Sequence, residues 1–434
     1  MNVINPNYPY HSKRNLQVAK HEAVASSSPL AAQAGLEILK QGGNAVDAAI
    51  AAAAMSTVTE PASNGIGGDA FAIVWIKGAL HGLNASGKAP KRLTIDALKA
   101  QGHEEIPRFG FAPVTVPGTP SAWAALNEKF GRLSLLECLT PAIKVAQDGY
   151  ALNASMTEAI NRSFDIYSKY LTEDYFKHWF DTFIPKRVPY KLGETLVLKD
   201  HAKTLTSIGK SNARSFYHGE LAEKIDQFSS ANGGYIRKED LMNHEVEWVN
   251  PLNVNYRGYD IWELPPNGQG ITALLALGIL SELPKPTAFN ATMVHTQIEA
   301  IKLAFKDVFT HVGDPKTMTI KPSDLLNKTY FKEKASFIKK AASNYHHIPP
   351  YKGGTIYLCT ADNDGNMVSY IQSNYMGFGS GLVVPNTGIA LQNRGHQFSL
   401  DKHHPNALAP HKRPLHTIIP GFITKDHLPI GPFG

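Results

Sequence analysis

Tyr351-Lys352-Gly353-Gly354-Thr355-Ile356-Tyr357-Leu358-Cys359 sets a hydroxyl residue at the head of an apolar run, directly behind two glycines. The β-branched and aromatic residues of that run predict a strand. The flexible glycine pair before it is a segment that can be cut, and a cut there makes Thr355 a chain terminus. A terminal threonine carries nucleophile and base on one residue. Its hydroxyl attacks, and its α-amine, with a reference pKa of about 7.7–8.0, takes the proton. The other reading is a β-branched residue that merely opens a strand.

Outward from this point, Asp362-Asn363-Asp364-Gly365-Asn366 reads as a hairpin turn, with Gly365 in the left-handed position. If Asp362 faces Asn366, Ser373 falls opposite Thr355 and Asn374 lies one step away. Ser373 and Asn374 are therefore the candidate catalytic partners, with simple cross-strand Thr–Ser pairing as the alternative. The run Gly377-Phe378-Gly379-Ser380-Gly381 lacks the Gly-Lys-Ser/Thr ending of a P-loop, and its glycines suit a tight corner or close backbone approach. A strand over residues 388–392 is expected to deliver Asn393 and Arg394 at a sheet edge. An arginine there can fork onto a carboxylate, or it can simply face solvent.

Bulk properties narrow the functional classes. The 434 residues suffice for one large domain or two ordinary ones, and 43% hydrophobic with 18% charged residues describes a globular protein. A net charge of +6, with Lys and Arg scattered, argues against a nucleic-acid groove but suits an acidic small substrate. Cys138 and Cys359 form no CxxC pair, so neither a disulfide scaffold nor a zinc ribbon is expected and a reducing, cytoplasmic setting fits. The polar first twenty residues lack the apolar core of a signal peptide, and no run reaches the roughly 18 apolar residues of a membrane span. His346-His347 and His403-His404 are adjacent pairs rather than the i, i+4 spacing of a helical zinc site, so no metal is expected.

Helical periodicity covers residues 31–40 and, behind Asn44 as N-cap, residues 45–58, an alanine-rich segment that should be buried with Asp47 as a capping carboxylate. Asn64-Gly65-Ile66-Gly67-Gly68-Asp69 is a tight loop feeding an apolar strand. Residues 134–236 read as mostly helical, residues 254–264 as a hairpin around Arg257-Gly258, and residues 271–280 and 293–308 as further helices. The chain turns strand-rich from Thr355. Helices before and between β runs predict sheets covered by helices.

Taken in order, Gly42-Gly43-Asn44-Ala45-Val46-Asp47-Ala48, Glu60-Pro61, Gly65-Ile66-Gly67-Gly68, Val116-Pro117-Gly118 and Pro265-Pro266-Asn267-Gly268-Gln269-Gly270 form one series. Glu299 to Phe305, Gly313-Asp314-Pro315, Gly354-Thr355, Asp364-Gly365-Asn366, Phe378-Gly379-Ser380-Gly381, Asn393 and Lys412-Arg413-Pro414 continue it. The series resembles the γ-glutamyltransferase (glutathione hydrolase) family of N-terminal-nucleophile hydrolases over nearly the whole chain. The resemblance implies an α+β fold, a four-layer αββα sandwich, made as a precursor. It places a cut between Gly354 and Thr355, giving a large portion, residues 1–354, and a small portion, residues 355–434, within one intertwined domain. Thr355 then attacks the γ-amide of glutathione or a similar donor, and water or an acceptor amine resolves the acyl-enzyme. No metal or organic cofactor, nucleic acid or membrane is implied, and association into homo-oligomers is left open.

Departures from the family pattern bear on the substrate. The family's arginine for the donor α-carboxylate aligns with Ser86, its aspartate for the α-amine with Gln397, and its paired serines with His416-Thr417. Arg394 or Lys88 is positioned in sequence to replace the lost clamp. Candidate substrate-binding residues are thus Ser86, Lys88, Asn393, Arg394, Gln397, His416 and Thr417. The family's oxyanion glycine pair falls just past Gly434, so a chain ending there is expected to lack those donors. Alongside γ-glutamyl cleavage stand an acylase for glutaryl or cephalosporin-like amides and an inactive, truncated member.

Overall fold

The computed structural model describes residues 17–344 and 354–434. The linker residues Tyr351 to Gly353, the pair His346-His347 and the start of the chain up to residue 16 lie outside the described residues. In chain order the two main sheets use β1 (Ala23–Ser26), β2 (Asp69–Ile76), β3 (Ala79–Asn84), β4 (Glu247–Val249) and β5 (Leu252–Tyr256). They continue with β6 (Tyr259–Glu263), β7 (Gly354–Ala361), β8 (Met367–Tyr375), β9 (Gly421–Lys425) and β10 (Leu428–Phe433). A six-stranded sheet runs β1-β7-β8-β2-β3-β4, and a four-stranded sheet runs β10-β9-β6-β5, with antiparallel neighbours throughout.

Side-chain alternation makes the layers. On β2, Ala70, Ala72, Val74 and Ile76 face a helical layer, while Phe71, Ile73 and Trp75 face the second sheet. There Phe71, Ile73, Ile371, Leu264, Ile418 and Phe422 form the core between the sheets. Each such side chain contributes about 1.5–3 kcal/mol by burial. The opposite face of the second sheet, Val254, Ile261 and Ile423, packs on α-helix residues Ile271, Leu274 and Leu275. The result is helix, sheet, sheet, helix: the αββα sandwich. Among the described residues, no helix is long and apolar enough to cross a membrane.

The alanine-rich helix α1 (Ala45–Thr59) is buried along its entire length because it is wedged between helices and the β7–β8 hairpin. Methyl side chains allow that close approach. Asn44 accepts from the Val46 and Asp47 amides, and Asp47 returns a bond to the Asn44 N–H at 3.0 Å. Asp362 of the hairpin turn accepts from the Ala45 amide at 2.9 Å, tying this helix start to the hairpin.

Several expectations shift in detail. The hairpin around Arg257-Gly258 is β5–β6, and the helix expected over 293–308 extends over Ala291–His311. Residues 388–392 form no strand; they make isolated bridges, Leu391 to Gly67 and Ala390 to Val383. Short loops there thread between other elements, so ladder partners are used singly. Arg394 consequently sits not at a sheet edge but on a one-turn helix, Arg394–Gln397, and is fully buried.

Candidate active site

The turn places the hairpin in the register that the Asp-Gly chemistry predicts, from Met367 opposite Ala361 to Gln372 opposite Ile356. There the ladder slips, and Tyr375 faces Gly354. The expected continuation, Ser373 squarely opposite Thr355, is replaced by a bulge. Ser373 instead pairs with Asp69 on the other side, and Tyr375 takes a positive φ of 79°. A bulge of this kind re-aims side chains. Here it turns the Ser373 hydroxyl onto the strand start.

The Ser373 hydroxyl is completely occupied. It donates to the Gly354 carbonyl oxygen at 2.8 Å and accepts from the Thr355 hydroxyl at 3.1 Å and from the Tyr375 amide at 2.8 Å. One buried hydroxyl thus touches both the hydroxyl of Thr355 and the carbonyl of the peptide bond preceding it. The Gly65–Gly68 loop crosses beneath the bulge. A Cβ on Gly68 would stand 2.5 Å from the Ser373 carbonyl oxygen, so the crossing requires glycine. Asn374 is fully buried beside it, and neither its Oδ1 nor its Nδ2 has a hydrogen-bond partner among the described residues.

Behind the bulge lies a buried charged group that the sequence does not signal as such. Asp69 opens β2 and is inaccessible, as is His416. His416 Nε2 donates to Asp69 Oδ2 at 3.0 Å, while Asp69 Oδ1 accepts from the Gly87 amide at 2.9 Å and Gln392 Nε2 at 2.8 Å. Burial, with Arg394 nearby, pulls the His416 pKa down to about 4 against the opposing pull of Asp69. Its Nδ1 has no partner among the described residues. Asp69 and Gln392 are functional candidates that the sequence reading passed over. The available signal was a carboxylate at the head of an otherwise apolar strand.

Arg394 lies over the Tyr375 ring, its Cζ 4.3 Å from the centroid, and Nη1 donates to Thr417 Oγ1 at 2.7 Å and Gln397 Oε1 at 3.2 Å. Burial lowers its pKa to about 10, with Asp69 opposing. Thr355, Ser373, Asn374, Arg394, Gln397, His416 and Thr417 are thereby linked into one contiguous region.

The remaining candidates have other tasks. The Ser86 hydroxyl donates to Asn84 Oδ1 at 2.7 Å and accepts from Asn267 Nδ2 at 3.2 Å, a buried polar knot rather than a free ligand. Asn393 holds the Met376 amide and the Arg108 carbonyl. Lys88 is half-buried among Arg413, Lys316, Glu247 and Asp314, and burial lowers its pKa. Arg413 bonds the Ser86 carbonyl and Glu247, bracing that segment. Cys359 is partly buried and Cys138 fully buried, both as free thiols. No cluster of metal-ligating side chains occurs among the described residues, the His403-His404 pair included.

Comparison with known proteins places the sequence and the fold. The family described as Gamma-glutamyltranspeptidase matches residues 31–434. The Glutathione hydrolase-like YwrD proenzyme of Bacillus subtilis is 36% identical over 422 residues, covering 95% of this chain and 78% of that protein. The Oxamate amidohydrolase proenzyme of Klebsiella pneumoniae is 35% identical over 410 residues, covering 93% and 76% respectively. A crystal structure of cephalosporin acylase from Bacillus halodurans superposes with a TM-score of 0.94 at 51% identity, over 100% of this chain and 80% of that one. With a family match over residues 31–434 and relatives at 35–36% identity along nearly its whole length, this chain is a member of the gamma-glutamyltranspeptidase family.

Proposed function

We propose that this protein is an N-terminal-threonine amidohydrolase of the γ-glutamyltransferase type, activated by cleavage of its own Gly354–Thr355 bond. The observation that carries the reading is the Ser373 hydroxyl bridging Thr355 Oγ1 and the Gly354 carbonyl oxygen. In the uncleaved chain that hydroxyl polarises the carbonyl and orients the attacking oxygen. Attack of Oγ1 on the Gly354 carbon breaks the C–N bond and leaves an ester on Thr355 with a free α-amine. Water hydrolyses the ester, giving a Gly354 carboxylate and an N-terminal Thr355.

The same oxygen then attacks a substrate amide while the α-amine accepts its proton and passes it to the leaving amine. The acyl group remains on Thr355 until water or an acceptor amine takes it. Asn374, whose Nδ2 is buried without a partner among the described residues, is assigned the developing oxyanion. Relatives named for glutathione hydrolysis, oxamate amidohydrolysis and cephalosporin acylation all support amide chemistry. The residues before and after the cut then form the large and small portions of one intertwined body.

γ-Glutamyl amides are the first substrate class, following the family. A second reading, an acylase whose acyl group lacks an α-amine, is favoured by one observation. Asp69, which faces Ser373 across the sheet, already accepts from Gly87, Gln392 and His416 and so is engaged rather than free for an ammonium.

Intact mass and a denaturing gel test the reaction: two species with an acyl adduct on Thr355, against one species and no adduct for Thr355→Ala. A single uncut species in wild type under varied conditions overturns it. Relative turnover of γ-glutamyl-anilide and glutaryl-anilide decides between the two acyl classes.

A further inference from the structure

We infer that Arg394 is the residue that holds the substrate's acyl group, by a two-pronged bond to a carboxylate on that group. This rests on the amidohydrolase reading above and assigns a clamp where the family pattern has none, since the position that aligns with the family's arginine is Ser86.

The geometry carries the assignment. Arg394 is wholly buried. One edge of its guanidinium is fixed, with Nη1 on Thr417 and Gln397, and one face is covered by the Tyr375 ring. Nε and Nη2 have no hydrogen-bond partner among the described residues. Those two N–H groups are the side-on fork of the guanidinium, the arrangement that matches both oxygens of a carboxylate. Among the described residues no carboxylate lies within ion-pair distance of it, and Asp69 has its oxygens engaged elsewhere. A buried cation with an empty fork is unfavourable unless an anion arrives to fill it.

The fork also lies in the right place. Tyr375, on which Arg394 rests, donates its amide to Ser373 and faces Gly354 across the hairpin. The cation is therefore joined through a single residue, Tyr375, to the groups around Thr355. Lys88, the other candidate, is held among the Arg413 and Glu247 charges and offers a point charge without a fork.

The test uses the full chain and matched five-carbon probes. Glutaryl-anilide should exceed pentanoyl-anilide in kcat/KM by about 10- to 100-fold, the range for a charge-assisted bond. Arg394→Gln should remove that preference through KM, bringing the glutaryl-to-pentanoyl ratio to about 1, and Arg394→Lys should restore only part of it. Equal turnover of both anilides by wild type, or an unchanged preference in Arg394→Gln, overturns the assignment. Should neither anilide turn over, self-cleavage still tests the amidohydrolase reading separately, and titration calorimetry with glutarate against pentanoate reads the fork. Preferential glutarate binding that is lost in Arg394→Gln supports it, and indifference to the carboxylate refutes it.

Discussion

The β7–β8 hairpin ends in two different ways. At the turn, Asp362 accepts from the amides of Ala45, Asp364 and Asn366 and from Asn366 Nδ2, and the pairing is regular. At the open end the ladder slips, Tyr375 is held at a φ of 79°, and buried polar atoms of Asn374, His416 and Arg394 lack partners among the described residues. A non-glycine residue in that conformation costs about 1–3 kcal/mol, and so does each unfilled buried polar group. Turn chemistry and a helix cap stabilise the first end. The second end concentrates strain and unfilled hydrogen-bonding capacity around Thr355, which is where a substrate would supply the missing partners.

Acid should break the contrast most severely. Burial lowers His201, His244 and His416 to a pKa of about 4, so each stays neutral in the fold while the unfolded chain takes up a proton below about pH 6.5. The unfolded state then binds more protons, and stability falls as pH drops from about 6.5 toward 4. At pH 5 the expected loss is about 2 kcal/mol per histidine, about 6 kcal/mol together. Thermal unfolding followed from pH 7 to pH 4.5 reads this, and a flat profile would contradict neutral burial.

Ser373→Ala attacks the open end alone. Losing the donor to the Gly354 carbonyl should slow self-cleavage by about 10²–10³-fold, some 3–4 kcal/mol in the barrier. Unpairing the Tyr375 amide should also lower the variant's thermal midpoint, as a loss of about 1–3 kcal/mol does, and the rate at which two bands appear on a gel measures the cleavage effect. Normal cleavage would show that the bridge is only cross-strand pairing.

Asp362→Ala attacks the turn, and the expected loss is smaller, about 1–2 kcal/mol as for other lost caps. Denaturant unfolding should register it while cleavage at Thr355 persists. An equal effect of both substitutions on cleavage would erase the distinction between the two ends.

The turn was legible in sequence because Asp-Asn-Asp-Gly-Asn acts locally, with Gly365 free to take its positive φ. The buried alanine helix and its Asn44 cap were equally local. The bulge was not legible, since it depends on Gly68 passing beneath Ser373 and on Asp69 in the adjacent strand. Arg394 and His416 are polar residues in irregular segments, and nothing in their neighbours announces burial. Their surroundings come from Asp69, hundreds of residues earlier, and from Thr417 in a different loop. The layered fold followed from alternation and from the family resemblance. The polar interior of the site followed from neither, because long-range packing decides which charges lose their water.

The strand order has a further consequence. β7 is paired on one side with β1, from the start of the chain, and β8 with β2, so residues on either side of Gly354–Thr355 are interleaved within one sheet. Before a cut, refolding is a unimolecular search in which chain connectivity keeps these strands together. After it, the same ladders must form between separate molecules. Recovery from denaturation then depends on concentration, and heating and cooling should trace different curves. Cleavage would thus make the mature form, once unfolded, slower to recover at low concentration than the uncut chain.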